Sequence, residues 1–70
     1  MESMREMVKN EVQKIRMSEE ITQELLAHKV GVSRQTIIAI EKGNYVPSVL
    51  LALKIARLFK KPVEEIFYIQ

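Results

Sequence analysis

The 70 residues predict an all-α fold of five short helices, and three observations carry that prediction. Apolar residues recur at three- and four-residue spacing through most of the chain, the period of helices with one buried stripe. Thr22, Ser33 and Ser48 each stand directly before such a stretch. There a short side-chain oxygen can accept from the backbone N–H groups that a helix start leaves unpaired. Gly31 and Gly43 follow two of the stretches, where a residue in the left-handed conformation ends a helix without steric cost.

The elements follow in order. Asn10 and Gln13 have the spacing of a capping box, which opens a first helix with Val12, Ile15 and Met17 facing inward and its end near Glu19. Thr22 caps a second helix, Gln23 to Val30, and Gly31 stops it. Ser33 caps a third, Arg34 to Lys42, whose buried stripe is Ile37 and Ile40. Pro47 keeps the chain extended up to Ser48, which caps a fourth helix running to about Phe59. Pro62 opens a short fifth helix through Glu65. The tail IFYIQ is β-branched and aromatic, so a short strand is the alternative there. The start of the chain has two readings as well. Ser3 and Glu6 cap a helix continuous with the first, or Met7 to Lys9 run extended and pair with the tail. Residues 1–6 have too few apolar groups to offset their ordering entropy and should be loosely held. With no repeat, low-complexity segment or linker, residues 1–70 read as one domain.

Composition narrows the function classes. Without cysteine there is neither a disulfide framework nor a thiolate metal site. His28, the single histidine, falls on the solvent side of the second helix with nothing to complete a metal site. There is no aspartate, and the pairs Glu19-Glu20 and Glu64-Glu65 look like solvated helix ends, so no catalytic residue is assigned. No cofactor and no small-molecule ligand are expected. The longest apolar run, Val49 to Leu53, is far short of a membrane span, and the N-terminus lacks a signal peptide's apolar core. A cytoplasmic, nucleoid-associated protein is the expectation. Charge is unevenly spread. Between residues 29 and 61, Lys29, Arg34, Lys42, Lys54, Arg57, Lys60 and Lys61 face Glu41 alone, whereas the rest of the chain carries four cations against eight glutamates. A basic middle between acidic ends suits a face turned to a polyanion, although an ordinary solvated surface can look the same.

A helix, a tight turn with glycine and a second helix form the helix-turn-helix unit, here residues 22–42, and DNA is the polyanion it serves. The chain closely resembles the lambda-repressor-like, Cro/repressor-type family over residues 10–67. The resemblance rests on TQ, Leu26-Ala27, GVSRQTI, IEKG and the P-S before ALKIA, all at the family's spacing. Within that family it is most similar to small dimeric repressors consisting of little beyond the DNA-binding domain. The resemblance implies a compact five-helix domain whose third helix enters the major groove of double-stranded DNA. Base contacts then fall to Arg34, Gln35, Thr36, Ile38 and Ala39. Gln35 suits adenine, Arg34 suits guanine or a phosphate, and Ile38 suits thymine methyls. Phosphate contacts fall to Thr22, Gln23, Ser33, Lys42, Asn44 and Tyr45. Arg16 and Glu41 match a structural salt bridge. Ala27 lets the two helices cross closely, and Leu26, Val30, Val32, Ile37 and Ile40 are frame.

The chain departs from the family pattern at Glu20, where glycine or asparagine is usual, so that turn is expected to differ, and likewise at Lys60, which replaces a common glycine. Leu25 and Leu50 are apolar where charge is usual. The fourth helix has hardly any polar face, and a helix apolar nearly all round must be buried on more than one side. A homodimer is the economical answer, through Leu50, Leu51, Ile66, Phe67, Tyr68 and Ile69, reading a near-palindromic operator as a repressor. The competing reading is an antitoxin or other interaction module whose surplus apolar surface docks a partner protein.

Overall fold

In a computed structural model, described here for residues 6–70, the chain runs β1 (Val8–Asn10), α1 (Val12–Ser18), α2 (Gln23–Val30), α3 (Arg34–Glu41), α4 (Val49–Phe59), a 3₁₀ turn (Val63–Glu65) and β2 (Phe67–Ile69). The expectation for residues 1–5 lies outside the described residues. Five helices become four. The segment after Pro62 closes only one 3₁₀ turn, because Glu65 N–H bonds to Pro62 C=O and Ile66 then leads into a strand. The extended alternatives for both ends are the ones realised. β1 and β2 pair antiparallel with Val8 opposite Ile69, Lys9 opposite Tyr68 and Asn10 opposite Phe67. Met7 and Gln70 continue the ladder by exchanging bonds of 3.2 and 2.9 Å.

Helix starts follow the sequence signals in three cases of four. Thr22, Ser33 and Ser48 accept from the backbone N–H groups of Leu25, Thr36 and Leu51. At α1 the capping-box expectation fails. Glu11 is the cap residue and its side chain makes no capping bond, while Asn10 Oδ1 accepts from Val12 N–H. Asn10 is held in the strand, one residue too early to cap. The third helix ends one residue early, with Lys42 as its C-cap.

All four helices end alike. Glu20, Gly31, Gly43 and Lys60 have positive φ, and the next residue's N–H reaches back five positions: Ile21 to Arg16, Val32 to Ala27, Asn44 to Ala39 and Lys61 to Ala56, at 2.9 to 3.1 Å. This is the Schellman closure. The turns at Glu20 and Lys60 therefore do not differ from the glycine-ended ones. The backbone at these two residues adopts the left-handed region at φ 59° and 58° and carries its strain.

The core is one cluster. Val12, Leu26, Ile37, Ile40, Ile55 and Ile66 are its largest fully buried side chains, with Ala27, Val30, Leu51, Ala56 and Phe59 around them. Two interface assignments are corrected here. Leu51 and Ile66 are only 7% and 0% exposed, so they fill the interior of one chain and have no surface to offer another. Phe67 is half-buried against the same core. Met17, expected inside, is 62% exposed, because Val12, Ile15 and Arg16 already take the inner face of α1. The ribbon is tied down by Glu11 N–H to Ile66 C=O at 2.8 Å and by Tyr68 donating to the Glu11 carboxylate. That hydrogen bond, then desolvation and the charge on Glu11, raise the Tyr68 phenol above its usual value near 10. The link stands at neutral pH and is lost as pH rises through that raised value.

The two strained turns give a prediction. Glu20→Gly and Lys60→Gly should each stabilise the fold by ~0.5–1 kcal/mol, since glycine removes the left-handed penalty while adding some unfolded-chain entropy. Urea unfolding would show raised midpoints with unchanged slope, whereas unchanged midpoints would mean that the turns carry no strain.

Candidate nucleic-acid interface

α2 and α3 cross where Ala27 is nearly fully buried, and Leu26, Val30, Ile37 and Ile40 fill the wedge between them. That contact sets how close the helices lie. Polar bonds set the angle. Arg16 donates from Nε to Glu41 Oε2 at 2.6 Å, from Nη2 to Glu41 Oε1 at 3.2 Å and from Nη1 to Ile21 C=O at 2.9 Å. Gln23 Nε2 donates to the same Glu41 Oε1 at 3.0 Å. Side-chain exposures of 11% for Arg16 and 3% for Glu41 put this pair largely out of water. A second tie reaches the same helix end: Asn10 Nδ2 donates to Ile40 C=O at 2.9 Å.

So braced, α3 presents its start and outer face. Arg34 and Gln35 are exposed, and Thr36, Ile38 and Ala39 are half-buried. Ser33 Oγ accepts from Thr36 N–H at 3.2 Å and lies 3.1 Å from Thr36 Oγ1, which fixes both hydroxyls at the helix entrance. Gln35, Thr36 and Ala39 line one shallow concavity with Asn44 and Tyr45. Thr22, Gln23 and Arg34 line another with Arg16, Met17 and Glu24. Eight of the eleven residues assigned to base edges or to phosphates thus line these two hollows, and Ser33, Ile38 and Lys42 line neither. Lys42, exposed, follows the last turn of α3. His28 is exposed, and among the described residues no group of three or more His, Cys, Asp or Glu is placed to hold a metal. Among those residues no helix is long and apolar enough to cross a membrane.

Asn10 is the positioning residue that sequence reasoning missed. Its partner is thirty residues away, and no local signal marks that pairing. Gln23 was assigned to DNA only. Its bond to Glu41 shows that it also braces the structure.

The helix-turn-helix family profile matches residues 12–66, which include all four helices. The chain belongs to the Cro/C1-type helix-turn-helix family of transcriptional regulators. It is 49% identical over 63 residues to the helix-turn-helix-type regulator YgzD of Bacillus subtilis, covering 90% of this chain and 96% of that one. It is 57% identical over 60 residues to a regulator of the same type in Methanocaldococcus jannaschii, covering 86% and 91%. Among solved structures it is similar to the restriction-modification controller protein C.AhdI of Aeromonas hydrophila, with a TM-score of 0.72 and 26% identity over 77% of this chain and 82% of that one. The protein is thus a DNA-binding transcriptional regulator of this family.

The Arg16–Glu41 pair gives the next prediction. Arg16→Met leaves a buried carboxylate unpaired and should cost about 3 kcal/mol. The double variant Arg16→Met/Glu41→Leu should recover at least half of that loss in urea unfolding. If the double variant is as unstable as the single, the loss comes from packing and not from the stranded charge.

Proposed function

We propose that this chain is a repressor that binds a near-palindromic operator as a homodimer, with α3 in the major groove. Supporting the groove assignment is the start of α3, where the exposed Arg34 and Gln35 stand beside the fixed hydroxyls of Ser33 and Thr36. Gln35 has donor and acceptor for an adenine edge, Arg34 donates to guanine or a phosphate, and the methyls of Thr36, Ile38 and Ala39 suit thymine. Thr22, Gln23, Ser33, Lys42, Asn44 and Tyr45 flank this helix and take backbone phosphates, which set register without reading sequence.

The dimer reading is supported by apolar surface that the core does not use. On α4, Val49, Leu50 and Leu53 are 76, 64 and 51% exposed, and on the ribbon Met7, Val8, Tyr68 and Ile69 are exposed too. A second copy covers such a surface symmetrically, and it places two recognition helices about 34 Å apart. The repressor assignment is supported by a phage repressor of Vibrio cholerae, RstR, 28% identical over 86% of this chain and 54% of its own length. A different protein docked on the α4 face, as for an antitoxin, is the competing occupant.

Two experiments test the reading. Selection of bound sequences from random duplexes should enrich a near-palindrome. Gln35→Ala should then relax one position in each half-site at a cost of about 1–3 kcal/mol, whereas Lys42→Ala should weaken all sequences alike and reduce the salt slope by about 1. No enriched sequence would sink specific operator binding. In sedimentation, wild type should be a dimer and Leu50→Glu a monomer, with operator binding weakened roughly 100-fold or more by loss of the linked second half-site. A wild-type monomer would turn the apolar face over to a partner protein.

A further inference from the structure

One charged feature of the fold lies outside both the recognition helix and the apolar face. Lys29 at the end of α2, and Lys54 and Arg57 on α4, line one concavity with Val30 and Leu58. No carboxylate lines it. Among the described residues the one ion pair within 4.0 Å is Arg16–Glu41, so none of these three cations pairs with a described carboxylate. The negative end of a helix dipole favours a cation, which accounts for Lys29 and Arg57 one at a time, since each lies in the last turn of its helix. It does not account for Lys54. That residue is mid-helix and half-buried, and it lines the same hollow as the other two. Three like charges gathered round one hollow repel one another, and a bound anion turns that repulsion into attraction.

The hollow is joined to the DNA-facing surface. The concavity beside Gln35 and Asn44 shares Thr36 and Tyr45 with a second one at the start of α4, and that one shares Val30 and Lys54 with the cationic hollow. We propose that Lys29, Lys54 and Arg57 form a lateral phosphate-binding site. It takes backbone phosphates of duplex beyond the sequence that α3 reads, which rests on the DNA-binding reading above. Arg57 supplies a planar fork that matches phosphate oxygens, and the two lysines supply point charges. A free phosphorylated compound offers the same chemistry, and the test separates the two sources.

The test compares the full chain with its triple variant K29Q/K54Q/R57Q. Salt dependence of binding is measured on a duplex trimmed to the selected sequence and on one extended by about ten base pairs at each end, one further helical turn. Three lost phosphate contacts should lower the salt slope by about 2–3 per protomer on the extended duplex and leave the trimmed one unchanged. In parallel, inorganic pyrophosphate is titrated at low salt, and the amide resonances of Val30, Lys54, Arg57 and Leu58 are followed. They should move in wild type and stay in the variant. Pyrophosphate shifts with equal salt slopes assign the site to a free phosphorylated compound. Equal slopes with no such shifts overturn the proposal, and so does an equal slope loss on both duplexes, which places the contacts within the recognised sequence. Should wild type select no sequence at all, the operator reading fails and the pyrophosphate titration alone decides this site.

Discussion

The Arg16 guanidinium is the constraint on which the geometry of this molecule depends. Three of its nitrogens donate, two to the carboxylate of Glu41 and one to Ile21 C=O, so a single plane fixes α1, the turn into α2 and the end of α3 together. Gln23 adds the start of α2 to the same carboxylate. Apolar packing of Ile37 and Ile40 holds α3 in the core but is not directional, and a helix can roll on such contacts. A planar fork against a carboxylate cannot roll with it. A lysine would supply the charge and lose the plane. Taking two charges out of water makes this a poor source of stability compared with packed hydrophobes. What it contributes is orientation, and on the reading proposed above α3 must be held at one angle to meet base edges.

The apolar residues divide between an interior and an outer face that overlap in sequence but not in space. Along α4, Leu51, Ile55, Ala56 and Phe59 face the core while Val49, Leu50 and Leu53 face away from it. The chain ends repeat the division: Ile66 is fully buried beneath the ribbon, and Tyr68 and Ile69 lie outside it. Burying a side chain such as Ile66 is worth roughly 1.5–3 kcal/mol, enough to hold a three-residue strand that could not stand alone. The ribbon therefore depends on the core beneath it more than on its own few hydrogen bonds.

What was legible in the sequence was local. Thr22, Ser33 and Ser48 act within three residues of themselves, and Gly31 and Gly43 within two, so residue type and spacing were enough to place α2, α3 and the start of α4. The missed features join distant residues. Asn10 looked like a cap because its true partner, Ile40 C=O, carries no side-chain signal. The ribbon pairs residue 8 with residue 69, and only the fold brings them together. Leu51 and Ile66 were misassigned for another reason: apolarity states that a side chain leaves water but not whether its own core or a neighbour receives it. Glu20 and Lys60 show that backbone demand can override residue preference. The five-residue closures there match those at the glycines, so the helix ends are set by how the helices must pack, and the turns bear the strain.

Gln23 joins the frame to the binding surface. A side-chain amide nitrogen carries two N–H groups, and the bond to Glu41 uses one. The other remains for an acceptor beside the first turn of α2, where unpaired backbone N–H groups already favour an anion. On the reading proposed above, that acceptor is a DNA phosphate. An amide polarised by the Glu41 carboxylate on one side then meets a phosphate on the other, and both are held by the group that fixes α3. Backbone contact and helix orientation are then one linked arrangement. Loosening Arg16 would shift the phosphate register and the base-reading helix together, which is why the clamp matters to recognition although it touches no base.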